Sequence, residues 1–145
     1  MTEVEKIVGY TTGVYDLFHV GHLNLLRRAK AQCDHLIVGV TSDTLAEYRK
    51  GRAPFVPENE RCEIVRALSC VDVVVMQDDM DKFGAWQKYK FHKMFVGDDW
   101  KGHPNWISLE EKFRKVNVEI VYFPYTAHIS STRLREMLDN HKETA

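Results

Sequence analysis

The sequence has no apolar stretch long enough to span a bilayer, and the run from Val73 to Met76 has only the length of a strand. It contains just three cysteines in 145 residues, Cys33, Cys62 and Cys70, and they form no C-x-x-C pair. The chain begins with polar and acidic residues, unlike a signal peptide. These absences predict a cytoplasmic protein without structural disulfides and without membrane association.

The chain also lacks a large net charge, because 20 Lys and Arg residues are balanced by 21 Asp and Glu residues and the formal net charge is -1. The basic residues are scattered except in Arg49-Lys50-Gly51-Arg52, and no array of stacking aromatic residues lies among them. This distribution argues against a nucleic-acid partner. The basic cluster is either a solvated face or a segment that contacts phosphate.

Two common nucleotide-binding motifs, G-x-x-x-x-G-K-[ST] and G-x-G-x-x-G, are absent. Short, mostly apolar runs recur along the chain and alternate with helix-like segments, as in a parallel sheet covered on both faces. The predicted strands are 7–10, 36–40, 71–76, 94–96 and 118–123. The sequence therefore predicts one α/β domain over residues 1–145, with a Rossmann-like, doubly wound, parallel five-stranded sheet and right-handed crossovers.

Two histidines, His19 and His22, flank Val20-Gly21 between the first predicted strand and a helix predicted from Leu23 to Lys30. A loop that leaves a strand and opens a helix directs free backbone N–H groups at a ligand. Both imidazoles can donate to phosphate oxygens, and Gly21 allows a ligand to approach the backbone closely. This arrangement, with Asp16 upstream, favours a nucleoside triphosphate as the ligand.

Two further groups of polar residues follow predicted strands and should meet the histidines at one edge of the sheet. Four hydroxyls, on Thr126, Ser130, Ser131 and Thr132, precede the last predicted helix, where a single helix cap would need only one. Gly97-Asp98-Asp99-Trp100 follows the fourth strand. Its aspartates either bind Mg2+, accept hydrogen bonds from a base or sugar, or form a turn.

The motifs His19-Val20-Gly21-His22 and Ile129-Ser130-Ser131-Thr132 resemble the H-x-G-H and I-S-[ST]-[ST] signatures of the cytidylyltransferase family of nucleotidyltransferases. The likeness is greatest to the bacterial glycerol-3-phosphate cytidylyltransferases and extends from Tyr10 to Met137. It includes four other segments, which are Gly13-Val14-Tyr15-Asp16, Glu58-Asn59-Glu60-Arg61, Val71-Asp72 and Gly97-Asp98-Asp99-Trp100.

The resemblance implies that CMP passes from CTP to sn-glycerol 3-phosphate, with Mg2+ as the cation and a homodimer as the assembly. CDP-glycerol, a precursor of teichoic acid or capsule, and pyrophosphate are the implied products. The implied catalytic residues are His19, His22 and Lys50, with Arg49 as the alternative to Lys50. The implied acceptor-binding residues are Asp16, Lys50 and Lys82. The implied nucleotide-binding residues are Val14, Tyr15, Gly21, Asp99, Tyr125, Thr126, Ile129, Ser130, Ser131 and Thr132. No residue is assigned as a protein ligand of a metal.

Three alternatives stay open at this point. The acceptor could be another polyol phosphate or a nitrogen-containing alcohol phosphate, or the enzyme could transfer AMP, as FAD-forming relatives with H-x-G-H do. A non-catalytic nucleotide-binding subunit is the third. Tyr125 and Ser69 stand where the glycerol-enzyme pattern has arginines, and His128 stands where it has glycine. These departures bear on affinity and acceptor more than on the reaction class.

Overall fold

The computed structural model describes residues 6–124 and 136–139. Its strands are β1 (Val8–Gly13), β2 (His35–Thr41), β3 (Val73–Gln77), β4 (Lys93–Gly97) and β5 (Glu119–Phe123). Its helices are α1 (Val20–Ala31), α2 (Asp43–Lys50), α3 (Glu58–Arg66), α4 (Lys82–Tyr89) and α5 (Pro104–Arg114), and Asp98–Trp100 forms a 3-10 turn. Residues 136–139 are helical. Within this described part, no helix has the length and apolar character needed to cross a membrane.

The five strands form one parallel sheet in the order β3-β2-β1-β4-β5. In the central strand, Tyr10 pairs with Ile37 on one side and with Met94 on the other. The strand order reverses between β1 and β4, and ligands in such sheets bind at the carboxyl ends of the strands beside this reversal. The predicted Rossmann-like α/β fold is confirmed.

The two faces of the sheet carry separate apolar clusters, as alternation along a strand requires. Leu36, Val38 and Val40 of β2 face α1 and α3, whereas Ile37 faces the opposite side. On that opposite side, Trp106 and Phe113 of α5 pack in the same cluster as Ile37. Each connection between consecutive strands therefore contains a helix that covers apolar surface of the sheet. This explains why the strand sequences are mostly apolar.

The structure differs from the prediction at two boundaries near the histidines and in one additional helix. Helix α1 begins at Val20 and not at Leu23, so His22 lies in its first turn. Strand β1 continues beyond Tyr10 to Gly13. Helix α2 was not predicted; it begins after Ser42, whose Oγ accepts a hydrogen bond from the Leu45 amide at 3.2 Å, and ends at Gly51 with φ of 77°.

Arg61 on α3 connects the carboxyl ends of two strands with the segment that precedes its own helix. Its side chain has no solvent exposure. One nitrogen, Nη1, donates to the carbonyls of Val14 at 2.6 Å and Thr41 at 2.8 Å. The other two donate to the Val56 carbonyl at 2.8 Å and to Asp43 at 2.5 Å. This network fixes the edge of the sheet at which ligands bind.

Replacing Arg61 by lysine should destabilise the fold by about 3 kcal/mol or more, because one ammonium cannot reach four acceptors that a planar guanidinium satisfies. The free energy of unfolding in urea measures the loss. Arg66→Lys, an exposed position on the same helix, is the matched control and should stay within about 0.5 kcal/mol of the wild type. Equal unfolding midpoints for the two variants would show that the Arg61 network is not a stabilising feature.

Candidate active site

His19 and His22 cap the first turn of α1 by hydrogen bonds in both directions. Nδ1 of His19, the N-cap residue, accepts from the Gly21 amide at 3.0 Å. Nδ1 of His22 accepts from the His19 amide at 3.2 Å. A ring nitrogen that accepts from an N–H carries no proton, so each neutral imidazole has its proton on Nε2. The cap therefore fixes the tautomer and makes Nε2 a donor in both rings.

Nε2 of His19 is buried and has no hydrogen-bond partner among the residues that the structure describes. The ring of His19 lies 4.0 Å from that of His22, centroid to centroid. Phe18 stacks on His22 at 5.2 Å, and Tyr15 meets it edge-on at 5.5 Å. Leaving a buried donor unsatisfied is costly, so this N–H points to an acceptor supplied by a ligand.

Both imidazoles are electrically neutral at physiological pH. Burial, together with the neighbouring His19 and Lys50, lowers the pKa of His22 to about 4, against the opposing effect of Asp16. Burial also lowers the pKa of His19. The pair can thus donate hydrogen bonds to an anion without first taking up protons.

Lys50 is the last residue of α2. Its charge contributes to the lowered pKa of His22, whereas that of its neighbour Arg49 acts on Lys82. These charge effects favour Lys50 over Arg49 as the residue nearer the histidine pair, and its catalytic role stays a prediction. Its ammonium supplies a positive charge next to two neutral donors.

Asp16 holds the segment that follows α2 against the segment that follows β1. The side chain is buried, and its two oxygens accept from the amides of Phe55 and Val56, each at 2.9 Å. These contacts are to the protein, so direct binding of a substrate by Asp16 stays a prediction. Val14 and Tyr15 lie immediately before it; the Val14 carbonyl is the one that Arg61 binds, and Tyr15 has a φ of 56°.

Asp99 and Lys82 lie at the ends of other elements. Asp99 is exposed within the 3-10 turn that follows β4. Lys82 is the first residue of α4, and its Nζ lies 5.6 Å from the centre of the Trp106 ring. Within residues 6–124 and 136–139, no three His, Cys, Asp or Glu side chains are grouped as a metal site.

The predicted nucleotide-binding residues Tyr125, Thr126, Ile129, Ser130, Ser131 and Thr132 lie outside the described residues. An ion pair between Arg52 and Asp139, at 3.1 Å, connects residues 136–139 to the segment that follows α2. Arg61 is the residue whose role sequence reasoning missed. The motif Glu58-Asn59-Glu60-Arg61 marks the position as part of the family resemblance. A run of charged residues, however, does not indicate that one of them is buried.

Comparison with known proteins identifies the family. The sequence profile of the cytidylyltransferase-like family matches residues 10–137. An FAD synthase of Thermococcus sibiricus is 32% identical over 99% of this chain and 98% of its own length. A glycerol-3-phosphate cytidylyltransferase of Bacillus spizizenii is 31% identical over 92% of this chain and 96% of its own. The solved structure of a lipopolysaccharide core biosynthesis protein from Thermoplasma volcanium superposes with a TM-score of 0.70 at 24% identity, covering 86% of this chain and all of that one, which supports the fold.

The lowered pKa of His22 predicts a specific loss of stability in acid. Between pH 6.5 and about 4 the unfolded chain binds a proton at His22 that the folded chain does not, so folding weakens as pH falls through this window. The expected contribution is about 2–3 kcal/mol between pH 7 and pH 4.5, and none above pH 7. Urea unfolding at both pH values measures it.

His22→Asn is the matched variant for this measurement, because asparagine Oδ1 can accept the His19 amide but does not titrate. The variant should lose less stability between pH 7 and pH 4.5 than the wild type does, by the same 2–3 kcal/mol or so. An identical pH dependence of the two proteins would contradict a buried, neutral His22.

Proposed function

Because the chain belongs to the cytidylyltransferase-like family, we propose that it transfers CMP from CTP to sn-glycerol 3-phosphate and releases pyrophosphate. One observation carries the reaction class: the buried Nε2–H of His19, which the helix cap orients and which the described residues leave without an acceptor. A triphosphate supplies that acceptor at the positive end of α1. The Gly97-Asp98-Asp99-Trp100 run and the glycerol-3-phosphate cytidylyltransferase relative support CTP and glycerol 3-phosphate.

In the proposed step, an oxygen of the acceptor's phosphate attacks the α-phosphorus of CTP in line. A new phosphoanhydride bond forms as the bond from the α-phosphorus to the bridging oxygen breaks, and pyrophosphate leaves with that electron pair. The attacking oxygen is already an anion at neutral pH, so the step needs positioning and charge stabilisation more than a general base. The donors of His19 and His22 and the charge of Lys50 are suited to hold the developing negative charge.

We propose that the nucleotide is held further by Val14, Tyr15, Gly21 and Asp99, and by Tyr125, Thr126, Ile129, Ser130, Ser131 and Thr132. Mg2+ keeps several waters and binds phosphate oxygens with one or two carboxylates, so it does not require a cage of protein ligands. The exposed pair Asp98 and Asp99 offers such carboxylates at the end of β4. Bound there with the triphosphate, Mg2+ would neutralise charge on the leaving pyrophosphate.

Adenylyl transfer to a flavin nucleotide is the second candidate. It is favoured by the FAD synthase of Thermococcus sibiricus, which is as similar to this chain as the glycerol-3-phosphate enzyme is. The histidine pair serves either reaction, because it handles phosphates and not the base or the acceptor. We also propose a homodimer in the cytoplasm, in keeping with the family resemblance and with three cysteines that are free thiols.

A panel of acceptors tested with CTP and with ATP, scored by pyrophosphate release, checks the proposed reaction. Glycerol 3-phosphate with CTP should give the highest kcat/KM, ahead of ribitol and erythritol phosphates, phosphocholine and FMN. Highest activity with FMN and ATP would establish the second candidate. Failure to release pyrophosphate with any pair would indicate a non-catalytic nucleotide-binding protein.

His19→Asn separates the two roles of His19, because asparagine Oδ1 can still cap α1 while the Nε2 donor is lost. We expect kcat/KM to fall by a factor of about 30 to 1,000, or about 2–4 kcal/mol, with the free energy of unfolding nearly unchanged. His19→Ala should lose as much activity and also about 1 kcal/mol of stability, because it removes the cap as well. A folded His19→Asn enzyme with normal turnover would remove His19 from the mechanism.

A further inference from the structure

The basic cluster at residues 49–52 contains an arginine that the proposed mechanism leaves unused. Arg52 lies two positions after Lys50, in the connection between α2 and α3. Its Nη1 lies 3.1 Å from Oδ2 of Asp139, and its guanidinium carbon lies 5.0 Å from the centre of the Phe55 ring. Arg52 and Asp139 are 87 positions apart in the sequence. Their contact therefore joins the C-terminal helix, described over residues 136–139, to the α2–α3 connection.

The α2–α3 connection is itself held next to the histidine pair by hydrogen bonds. The two oxygens of the buried Asp16 carboxylate accept from the amides of Phe55 and Val56, each at 2.9 Å. Asp16 lies three residues before His19, the N-cap of α1. Because the guanidinium of Arg52 packs on the Phe55 ring, direct contacts connect the C-terminal helix to the segment that begins α1.

Apolar burial contributes little to the docking of residues 136–139. Met137 is 59% exposed and Leu138 is 42% exposed, so a polar contact has a larger share in holding this part of the helix. The side chains of Arg52 and Asp139 are 45% and 43% exposed, and an ion pair this exposed adds little to the free energy of unfolding. The pair therefore acts on where the helix lies more than on whether the chain folds.

We propose that Arg52 and Asp139 form a clasp, which fastens the C-terminal helix beside the phosphate site and thereby favours binding of the nucleoside triphosphate. This inference rests on the proposed function, in which Lys50 and the hydroxyl run that ends at Thr132 hold the same nucleotide. Lys50 is two residues from one end of the clasp, and Thr132 is seven residues from the other. Restraining both parts before the nucleotide arrives reduces the ordering cost of binding. Arg52 and Asp139 are thus positioning residues.

Charge reversal separates the clasp from the general attraction between a cation and a triphosphate. Asp139→Arg adds positive charge, which by itself would lower the KM for CTP, but it also replaces the ion pair by two cations that repel each other. We expect the KM for CTP to rise about 3- to 10-fold and kcat to stay within about twofold, because the clasp acts on binding and not on the chemical step. Arg52→Asp should change both constants in the same way. Pyrophosphate release measures them.

The swapped pair, Arg52→Asp with Asp139→Arg, restores the clasp with its charges exchanged. Its KM for CTP should return to within about twofold of the wild-type value. Glu136→Arg is the matched control, because it makes the same change of charge at an exposed position of the same helix. It should leave the KM unchanged or lower it. The free energy of unfolding in urea should be similar in all these variants, which separates a change in binding from a loss of the fold.

An Asp139→Arg enzyme whose KM for CTP equals or falls below that of the wild type overturns the clasp. A swapped variant as impaired as Arg52→Asp also overturns it, because Arg52 would then act on the nucleotide directly. Both results leave cytidylyl transfer intact. Transfer from ATP and not from CTP overturns the proposed reaction alone, and the same comparison of variants, made with ATP, decides the clasp. Absence of transfer from either nucleotide overturns both.

Discussion

A fully buried guanidinium is stable only while its charge is paired and its N–H groups find acceptors, and Arg61 bonds four of its five N–H groups at the carboxyl edge of the sheet. Taking a charge out of water costs several kcal/mol, which Asp43 and three backbone carbonyls together offset. Those carbonyls belong to the ends of β1 and β2 and to the segment before α3. The three segments are therefore held as one unit. Asp16, which follows β1, adds a second connection to the segment before α3 because it accepts from the Phe55 and Val56 amides. The first turn of α1 follows β1 at this edge of the sheet.

Hydrogen bonding also explains how the two histidines come to present the N–H donors that we propose bind phosphate. An N-cap needs an acceptor, so Nδ1 of each ring is committed to a backbone amide and the proton is confined to Nε2. Close packing with Phe18 and Tyr15 then removes water from His22, which disfavours its charged form. A neutral donor binds phosphate less strongly than an imidazolium would, but it keeps its proton across the physiological range. In the proposed site the positive charge is that of Lys50, at the end of a different helix.

The sequence alone predicts the sheet and the histidine motif, because apolar runs and strand-to-helix spacing are local patterns. It does not predict α2, because only Ala46 of that helix is buried and the segment therefore lacks a periodic apolar face. Nor can it choose between Arg49 and Lys50, because consecutive residues of a helix point about 100° apart and the choice depends on how the helix docks. The burial of Arg61 arises from contacts between segments distant in sequence. Such contacts leave no periodic trace.

The two candidate reactions make the same demands on the groups that bind phosphate and different demands on the groups that bind the acceptor. Both need donors and positive charge around a triphosphate, which the start of α1 and the end of α2 provide. Acceptor choice must come from groups that touch the part of the acceptor beyond its phosphate, because a fold and a phosphate site together do not specify a substrate.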